Sequence, residues 1–430
     1  MIKILQVRNI DRFVESRRQK TSEKDKKIVQ AILNDVRKNG DSAVKKYERK
    51  FNGRNTSQLR VSEKEIKEAQ SKISREENFA LYQMETKIRF QSGALMNDLG
   101  NLTKKMPRQG SPGLCDLTRS FIPIPSVGCY IPGGQARYPS SVIMSVIPAR
   151  EVGVKRIVVV SPPGPDGKID PLTIAAAVSC GATEIYKVGG AQAIGALAYG
   201  TKSIPKVDKI VGPGGKFVSI AKSLVSDQTA IDMVAGPTEL GIIANASSDP
   251  ELIALDLISQ AEHSKDTMCF VITQSKTIAK QIQKSIEKLI PGTERSSIIK
   301  ESISKNGFIA ICKNEYEVIE LANKIAPEHM ELMVGNAKTL SKKITGAGLL
   351  LIGKNTPSSA SDYLLGTNHI LPTNGFGRTR GGLSVLDFLK LQTVIESKKS
   401  GLRKISKSLK VLTDAEDLPN HYKAVKRRLD

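Results

Sequence analysis

Ile231-Asp-Met-Val-Ala-Gly-Pro-Thr-Glu239 opens the stretch that decides the predicted fold of this chain, and Ser259-Gln-Ala-Glu-His263 closes it. The opening residues are typical of a tight turn, and the apolar run at 240–245 predicts a short buried strand. Ser248 or Asp249 then fits the N-cap position of a helix. A turn, a strand and a helix in this order predict an α/β fold.

Gln260 and His263 come near the end of the predicted helix. Residues that are three apart lie on one helical face, so we expect these two side chains to project together. A pair of this kind is suited to hold one metal ion or one polar ligand.

Short apolar runs alternate with helical periodicity on both sides of this stretch. The runs that predict buried strands begin near Arg156, Ile185, Lys209, Met268, Gly307 and Gly348. Strands that alternate with helices indicate parallel sheets, whose ligands bind at the carboxyl ends of the strands. We therefore expect two α/β domains of related build.

The predicted domain boundaries follow the changes of pattern along the chain. Residues 1–25 are polar and basic and are expected to form an N-terminal arm. A first α/β domain is predicted to combine 26–129 with 240–383, and a second to span 130–239. Residues 384–430 have a charged, helical pattern and predict a C-terminal arm that takes part in a dimer.

Glycine and proline indicate where the N-terminal elements end. Helical periodicity covers about residues 25–99, in which Gly40 and Gly53 are predicted to end helices. The Gly- and Pro-rich segment 109–114 predicts a polar connection to the next part of the chain.

Composition limits the functional class. The 430 residues include 65 Lys+Arg and 43 Asp+Glu, and the formal net charge of +22 favours anionic partners. However, the basic residues are spread along the chain, and 4% aromatic content without Trp argues against a stacking platform for single-stranded nucleic acid.

Five cysteines without C-x-x-C spacing argue against a disulfide framework, and no run approaches the roughly 18 apolar residues of a membrane helix. We expect a cytoplasmic protein that needs neither membrane nor nucleic acid as a partner.

Histidine is scarce in this chain, which makes each one informative. The four are His263, His329, His369 and His421. A single histidine is more often a hydrogen-bonded structural residue than a ligand. Imidazole nitrogen and carboxylate oxygen suit zinc, however, and an amide oxygen is a weaker ligand. Gln260, His263, Asp362 and one further histidine would make a zinc shell, although the spacing alone leaves the structural interpretation open.

Pro327-Glu328-His329 is a candidate acid/base pair. Proline fits the first turn of a helix, so the sequence predicts that Glu328 and His329 begin a helix with their side chains about 100° apart. Such a pair could have two catalytic roles, with histidine as a general base and glutamate acting on a water molecule. The alternative is a capping glutamate beside a surface histidine.

Three Gly-rich turns follow strand-like runs in the middle of the chain. They are Pro132-Gly-Gly, Gly189-Gly190 and Gly212-Pro-Gly-Gly215. Such turns let backbone amides approach a phosphate, although none belongs to a G-x-G-x-x-G motif and each is also compatible with an ordinary turn. Their grouping in one section favours a nucleotide.

The chain resembles the histidinol dehydrogenase family nearly from end to end. The stretch at 231–263 is the longest and most specific part of the resemblance. The other matching segments are Asp35-Val-Arg-Lys-Asn-Gly-Asp-Ser-Ala-Val-Lys-Lys-Tyr47, Gly128-Cys-Tyr-Ile-Pro-Gly-Gly134, Gly189-Gly-Ala-Gln-Ala-Ile194, Pro327-Glu-His-Met-Glu331, Ser361-Asp-Tyr-Leu-Leu-Gly-Thr-Asn-His-Ile-Leu-Pro-Thr373 and the tail from Glu416 to His421. The resemblance implies two incomplete Rossmann-like domains with small N- and C-terminal helical arms.

The resemblance also implies an activity and roles for particular residues. The activity is a four-electron oxidation of L-histidinol to L-histidine through a bound aldehyde, with one zinc ion per subunit and two NAD per turnover. Glu328 would activate the water that hydrates the aldehyde, and His329 would be the general base of the oxidation steps. The implied zinc ligands are Gln260, His263, Asp362 and His421, and His421 would come from the partner subunit of a homodimer. These four residues would also contact the substrate, as would His329, Thr238, His369 and Glu416.

The NAD contacts implied by the resemblance are Tyr130, Gln192 and Gly215, all in the predicted domain 130–239. Relatives usually have asparagine at the last position, so Gly215 is a departure that removes a side-chain amide. Its backbone amide could still contribute. We expect the cofactor site to be weakened or reshaped there.

Two other functions remain possible at this point. An enzyme of the same superfamily could oxidise a different small polar alcohol, such as a dihydroxypropane sulfonate, but Glu328, His329, His369 and Glu416 favour histidinol. The charge of +22 would also suit a nucleic-acid-binding protein on an inactive enzyme scaffold. The presence of the acid/base pair and the implied ligands argues against that second alternative.

Overall fold

The computed structural model describes residues 1–18, 22–53, 58–105, 114–133 and 137–430 and shows an α/β fold. The strands, in chain order, are β1 Lys3–Gln6, β2 Cys115–Pro123, β3 Ser126–Tyr130, β4 Arg156–Ser161, β5 Glu184–Lys187, β6 Lys209–Val211, β7 Ala230–Ile231, β8 Glu239–Ala244, β9 Met268–Thr273, β10 Phe308–Ile311, β11 His329–Met333, β12 Leu349–Ile352 and β13 Leu389–Ser397.

Helices lie between most of these strands. They are α1 Ile10–Glu15, α2 Glu23–Asn39, α3 Asp41–Asn52, α4 Glu63–Gln70, α5 Arg75–Lys105, α6 Pro139–Glu151, α7 Pro171–Cys180, α8 Gly190–Tyr199, α9 Lys216–Val225, α10 Pro250–Ala261, α11 Lys276–Leu289, α12 Ser296–Lys305, α13 Glu315–Ile325, α14 Ala337–Ser341, α15 Ser358–Ser361, α16 Lys399–Ala415 and α17 Pro419–Leu429. Short 3-10 helices lie at Ile290–Gly292, Phe376–Arg378 and Val385–Phe388.

A five-stranded sheet has the order β5-β4-β3-β6-β7, and all of its pairs are parallel. The chain runs outward from β3 through β4 to β5 and then returns to the other side of β3 as β6. A sheet of this order has a topological switch point between β3 and β6, where open α/β sheets bind ligands at the carboxyl ends of their strands. Pro132 and the Gly212–Gly215 turn follow β3 and β6 at this point.

A six-stranded parallel sheet has the order β1-β10-β9-β8-β11-β12. Its central strands β8 and β9 are buried along their whole length, as parallel strands covered on both faces are. Helix α10 joins β8 to β9, so the end of α10 lies near the amino end of β9 and of its neighbour β8. The strand and helix predicted at 240–263 are confirmed, with Asp249 as the N-cap that accepts the amides of Glu251 and Leu252.

The N-terminal helices end where glycine was predicted. Gly40 and Gly53 follow α2 and α3 with φ of 52° and 73°, a backbone region that glycine adopts most easily. The buried faces of these helices pack on α8 and α9, and α4 and α5 pack on α7 and α6. The predicted boundaries joined 26–129 to the domain at 240–383, whereas these contacts attach α2 to α5 to the domain of the five-stranded sheet. The reason is that the apolar faces of these helices pack on the helices of that sheet.

The two terminal segments also differ from the predicted helical arms. Residues 3–6 pair with β10 as an edge strand of the six-stranded sheet, and α1 packs on α13, so this first part of the segment adds to that domain. In the C-terminal segment, residues 389–397 form β13, which pairs antiparallel with β2 over its whole length before the helices α16 and α17 begin. Alternating residues such as Leu389, Leu391 and Thr393 suit this two-stranded ribbon.

Most of the polar connection predicted at 109–114 lies outside the described residues, and only Leu114 is within them. The described helices include none that is both long and apolar enough to span a bilayer.

Candidate active site

A cavity of about 260 Å³ opens between the two parallel sheets. On one side it is lined by Pro132 and the Gly212–Gly215 turn, at the carboxyl ends of β3 and β6. On the other side it is lined by residues at the amino ends of β8 and β11. The six-stranded sheet therefore presents the opposite strand ends to the site from those used by the five-stranded sheet.

Helix α10 carries the first two predicted ligands into this cavity. Gln260 lies in its last turn and is 2% exposed, and His263 follows the C-cap residue Glu262. The amide of His263 donates to the carbonyl of Gln260, which keeps both residues on the same side of the chain. Both side chains line the cavity, as the helical spacing predicted.

Glu328 and His329 line the same cavity, but the prediction that they begin a helix is wrong. Helix α13 ends at Ile325, Ala326 adopts a left-handed conformation with φ of 51°, and His329 begins β11. Pro327 therefore follows a helix end instead of starting a helix, and proline is also common at this position. Strand β11 lies between β8 and β12, and His329 pairs with Leu240 of β8.

Asp362 lies close to His329. Its Oδ1 atom is 3.2 Å from His329 Nε2, and both residues are buried. Burial lowers the pKa of His329, but the carboxylates of Asp362, Glu328 and Glu331 outweigh that effect and raise it to about 9. Burial raises the pKa of Asp362, and the contact with His329 outweighs it and lowers the pKa below its usual value.

Glu328 has a raised proton affinity. Its carboxylate is 6% exposed, and burial raises its pKa to about 7 in spite of the nearby His329. One oxygen accepts the backbone amide of Glu239, the first residue of β8, at 3.0 Å. A carboxylate with a pKa near neutrality is well matched to accept a proton under physiological conditions.

His369 completes the ring of histidines around the cavity. Its Nδ1 atom lies 3.0 Å from the carbonyl oxygen of Asp362, and its Nε2 atom lies 3.0 Å from Ser141 Oγ. Burial lowers the pKa of His369, and the same effect lowers the pKa of His263. Both rings are therefore favoured in the neutral form that binds a metal or accepts a proton.

The donor set at this cavity fits a metal ion. Asp362 Oδ1 and both ring nitrogens of His329 are buried, and none has an aligned hydrogen-bond partner among the residues that the structure describes. Buried polar atoms without a well-aligned hydrogen bond destabilise the fold, so a ligand that pairs with these atoms would be stabilising. Gln260, His263 and Asp362 offer the amide oxygen, imidazole nitrogen and carboxylate oxygen that the sequence indicated for zinc.

Within the described residues of one chain, no group of three His, Cys, Asp or Glu residues is arranged to hold a metal ion. The predicted ligand set explains this result. It includes a glutamine, and its fourth member, His421, does not line the cavity of its own chain. A single chain therefore brings together three of the four predicted ligands.

Some of the predicted substrate contacts line the cavity of their own chain, and others, like His421 among the predicted ligands, do not. Thr238 precedes β8 and lines the cavity together with His369. Glu416 and His421 do not line it. Glu416 caps the end of α16 and His421 lies in the first turn of α17, and both are exposed.

The C-terminal segment has an uncovered apolar surface. The side chains in question are 43% to 64% exposed and are Leu391, Val394, Ile395, Val411, Leu412 and Leu418. Tyr363, Leu364 and Leu365, which directly follow Asp362, are also exposed. Exposed apolar side chains that lie together in a patch mark protein interfaces.

The three predicted NAD contacts lie around the carboxyl ends of the five-stranded sheet. Tyr130 ends β3, and its hydroxyl oxygen accepts the amide of Gly190 at 3.1 Å. Gln192 donates from Nε2 to Glu48 at 2.8 Å, and its buried Oε1 has no partner among the described residues. Gly215 lines the cavity, whereas Tyr130 and Gln192 do not.

The Gly212–Gly215 turn can approach a ligand closely. Gly212 has φ of 111°, and a Cβ atom there would lie 2.2 Å from the carbonyl oxygen of Tyr130. A Cβ atom on Gly214 would lie 2.3 Å from a methyl group of Val218. Glycine is therefore required at both positions, and the turn presents bare backbone to the cavity.

Gly215 differs from these two glycines, and a side chain would fit there. It is the N-cap of α9 with extended backbone, and a Cβ atom on it would meet no other atom within 4 Å. We predict that Gly215→Asn caps α9 and stabilises the protein by roughly a few tenths of a kcal/mol. If the amide also reaches the cofactor, the KM for NAD should fall about 3- to 10-fold, as for one neutral hydrogen bond.

Steady-state kinetics with NAD and thermal unfolding would check this prediction. Gly215→Ala is the matched control, because it fills the same open space without an amide. A KM for NAD that is equal in the two variants would show that the cofactor does not meet residue 215.

One functional candidate was missed by sequence reasoning. Glu239 is buried at the start of β8 and contacts Glu328 through the backbone of both residues. An acidic residue at the head of an otherwise apolar strand is the signal that could have identified it.

Comparison with known proteins places this geometry in a family. The sequence model of the family described as histidinol dehydrogenase matches residues 15–429. A histidinol dehydrogenase of Methanosarcina barkeri is 40% identical over 403 residues, which are 94% of this chain and 91% of that protein. One from Methanococcus maripaludis is 43% identical over 405 residues, 94% of this chain and 93% of the relative.

A solved structure agrees with the sequence comparison. The crystal structure of histidinol dehydrogenase from Elizabethkingia anophelis superimposes with a TM-score of 0.90 at 32% identity. The superposition covers 100% of this chain and 98% of that one. The predicted α/β fold class is therefore confirmed.

Proposed function

Because this chain belongs to the histidinol dehydrogenase family, we propose that the cavity between its two sheets is the active site. The chain is an NAD-linked oxidoreductase of histidine biosynthesis, whose family uses a metal cofactor. The observation that supports this location is the convergence of Gln260, His263, Glu328, His329 and Asp362 on one cavity. These residues come from three separate parts of the chain.

The proposed metal is zinc, one ion per subunit. Gln260, His263 and Asp362 would hold it, together with His421 of the partner subunit. When bound, zinc supplies a fixed positive centre that orients the imidazole and amino groups of L-histidinol. The same four side chains would therefore border the substrate.

His329 is the proposed general base of both oxidations. It would accept the proton of the substrate hydroxyl while a hydride leaves the same carbon for NAD, which gives the aldehyde and NADH. In one chain, Asp362 stabilises the protonated ring. Neutralisation of Asp362 by a cation would weaken that attraction and lower the pKa of His329, so the ring would become a base at neutral pH.

Glu328 is the proposed base for the water molecule that hydrates the aldehyde. With a pKa of about 7, it is partly ionised at neutral pH and can accept a proton from water as the water adds to the carbonyl carbon. The hydrate then loses a second hydride to NAD. One water and two NAD are consumed, and one histidine, two NADH and the released protons are formed.

The NAD site is proposed at the switch point of the five-stranded sheet. The bare backbone of Gly212–Gly215 and the unpaired Oε1 of Gln192 support this position. Tyr130 fixes Gly190, and thereby the start of α8, beside it. Thr238 and His369 are proposed substrate contacts on the facing wall.

The protein is proposed to act as a homodimer whose sites are shared. Glu416 and His421 are exposed and do not line the cavity of their own chain, although the resemblance gives both a place beside the substrate. The exposed apolar side chains of the C-terminal segment and those after Asp362 support an interface between two chains. A cytoplasmic location remains part of this proposal.

The proposed function is tested by incubating zinc-loaded protein with L-histidinol and NAD. We expect two NADH and one histidine for each substrate consumed, measured by absorbance and by chromatography. A protein that contains zinc and remains folded, yet releases no NADH from histidinol, would overturn the proposal. Release of one NADH with accumulation of aldehyde would overturn the four-electron sequence.

A further inference from the structure

The carboxylate of Glu239 connects three segments of the active-site wall. Its Oε2 atom accepts the backbone amide of Glu328 at 3.3 Å, and its Oε1 atom accepts the amide of Asn374 at 2.9 Å. In return, the amide of Glu239 donates to Glu328 Oε2 at 3.0 Å. The heads of β8 and β11 are therefore joined by a reciprocal pair of backbone-to-carboxylate bonds.

The loop at 373–374 is hydrogen-bonded both to Glu239 and to the turn that precedes β8. Thr373 Oγ1 accepts the amide of Gly236, in the turn that also carries Thr238. Asn374 has φ of 55°, a left-handed conformation that its bond to Glu239 helps to retain. Glu239 thus lies where the segments bearing the substrate contact Thr238, the base Glu328 and residue Thr373 meet.

Burying the carboxylates of Glu239 and Glu328 at the heads of β8 and β11 destabilises the folded protein. Glu239 and Glu328 are 8% and 6% exposed, and removing charged groups from water opposes folding unless they are paired. Ordinary packing of a strand end would not require Glu239, since an apolar residue would pack there without that cost. The presence of Glu239 is explained if its two oxygens serve to fix backbone amides beside the reacting groups.

We infer that Glu239 is a positioning residue for the aldehyde half of the reaction, because it fixes the backbone and carboxylate of Glu328 against the attacking water. This inference rests on the proposed role of Glu328. Glu239 does not line the cavity, so it acts through Glu328 and is not itself a catalytic residue.

The expected effect is selective. Glu239→Gln keeps the shape of the side chain, but its amide nitrogen would face one of the two backbone amides that the carboxylate now accepts. Glu328 would then be held less firmly, and a displacement of about 1 Å at a reacting group costs on the order of 100-fold in rate. We expect oxidation of the aldehyde to slow about 10- to 100-fold, while alcohol oxidation changes less than about 3-fold.

The two halves can be measured separately on the zinc-loaded enzyme. L-histidinal with NAD reports the second oxidation, and L-histidinal with NADH reports the first in reverse. Thr373→Val is the matched control, because it removes the neighbouring bond to Gly236 without touching Glu328 and should affect both halves alike. Glu239→Asp, which keeps the charge on a shorter side chain, replaces the glutamine variant if that protein does not fold.

A selective loss in the aldehyde half, with zinc content and thermal unfolding like those of the wild type, would support the inference. Equal losses in both halves, or no loss, would overturn it. Glu328→Gln is measured in parallel. If Glu328→Gln is selective and the Glu239 variants are not, only this inference fails; if Glu328→Gln is not selective, the proposed role of Glu328 fails as well.

Discussion

Glu328→Gln is expected to slow oxidation of the aldehyde by about 100- to 10,000-fold, the usual range for loss of a general base. Glutamine keeps the size of the side chain and can still accept the amide of Glu239 through its oxygen, so the fold should be retained. It cannot accept a proton from water. Because alcohol oxidation needs no water, that half-reaction should keep most of its rate.

The measurement compares L-histidinal with NAD against L-histidinal with NADH for the same enzyme preparation. His329→Gln provides a contrast, because a shared base should be needed in both directions. The wild-type aldehyde half-reaction should also gain rate as the pH rises through about 7, where Glu328 ionises. Equal losses in both halves for Glu328→Gln would contradict the assigned division of roles.

His421→Ala is the second substitution with a large expected effect. His421 is exposed on α17, and substitution of an exposed residue usually changes stability by less than about 0.5 kcal/mol. Nevertheless, we expect zinc affinity and the rate of histidinol oxidation to fall at least about 100-fold. Even the removal of a residue that only hydrogen-bonds to a metal ligand lowers metal affinity or activity roughly 10- to 100-fold.

Zinc content after dialysis and turnover of histidinol would check this result. Asn420→Ala is the matched control, because it is the exposed neighbour of His421 on the same helix. A His421→Ala enzyme with normal zinc content and normal turnover would remove His421 from the site.

Local chemistry allowed much of the fold to be predicted. Asp249 and Pro250 determine where α10 begins, and Gly40 and Gly53 end helices because their positive φ values suit glycine. Helical periodicity brought Gln260 and His263 together without any knowledge of the fold. These predictions depend only on neighbours within about one helical turn.

The start of β11 shows why other predictions failed. Pro327 fits both the first turn of a helix and the position after a helix end, so proline alone does not decide between them. The residues that follow, from His329 to Leu332, alternate polar and apolar side chains, which favours a strand. They are nevertheless all buried, because β11 is covered on both faces.

Contacts between residues that are far apart in the sequence could not be predicted either. The segment between His329 and Asp362 contains no periodicity that would predict their 3.2 Å contact, and only the resemblance to known dehydrogenases implied that the two residues share a site. The edge strand at residues 3–6 likewise depends on a distant partner, since it pairs with Phe308–Ile311. His421 is a still more distant case, since the cavity of its own chain does not contain it.

Each active site is proposed to combine the body of one chain with the tail of its partner. A heterodimer of a Glu328→Gln chain and a His421→Ala chain tests this arrangement most directly, with differently tagged chains purified together. Under the shared arrangement one site has both defects and the other has none. A heterodimer of Glu328→Gln with Asp362→Ala is the matched control and should be inactive, because both of its sites carry a defect in the body.

We expect the Glu328→Gln and His421→Ala homodimers to form almost no L-histidine from L-histidinol and NAD, and their heterodimer to form it at about half of the wild-type rate, as one intact site of two requires. A heterodimer that is as inactive as its parents would show that the tail does not complete the partner's site.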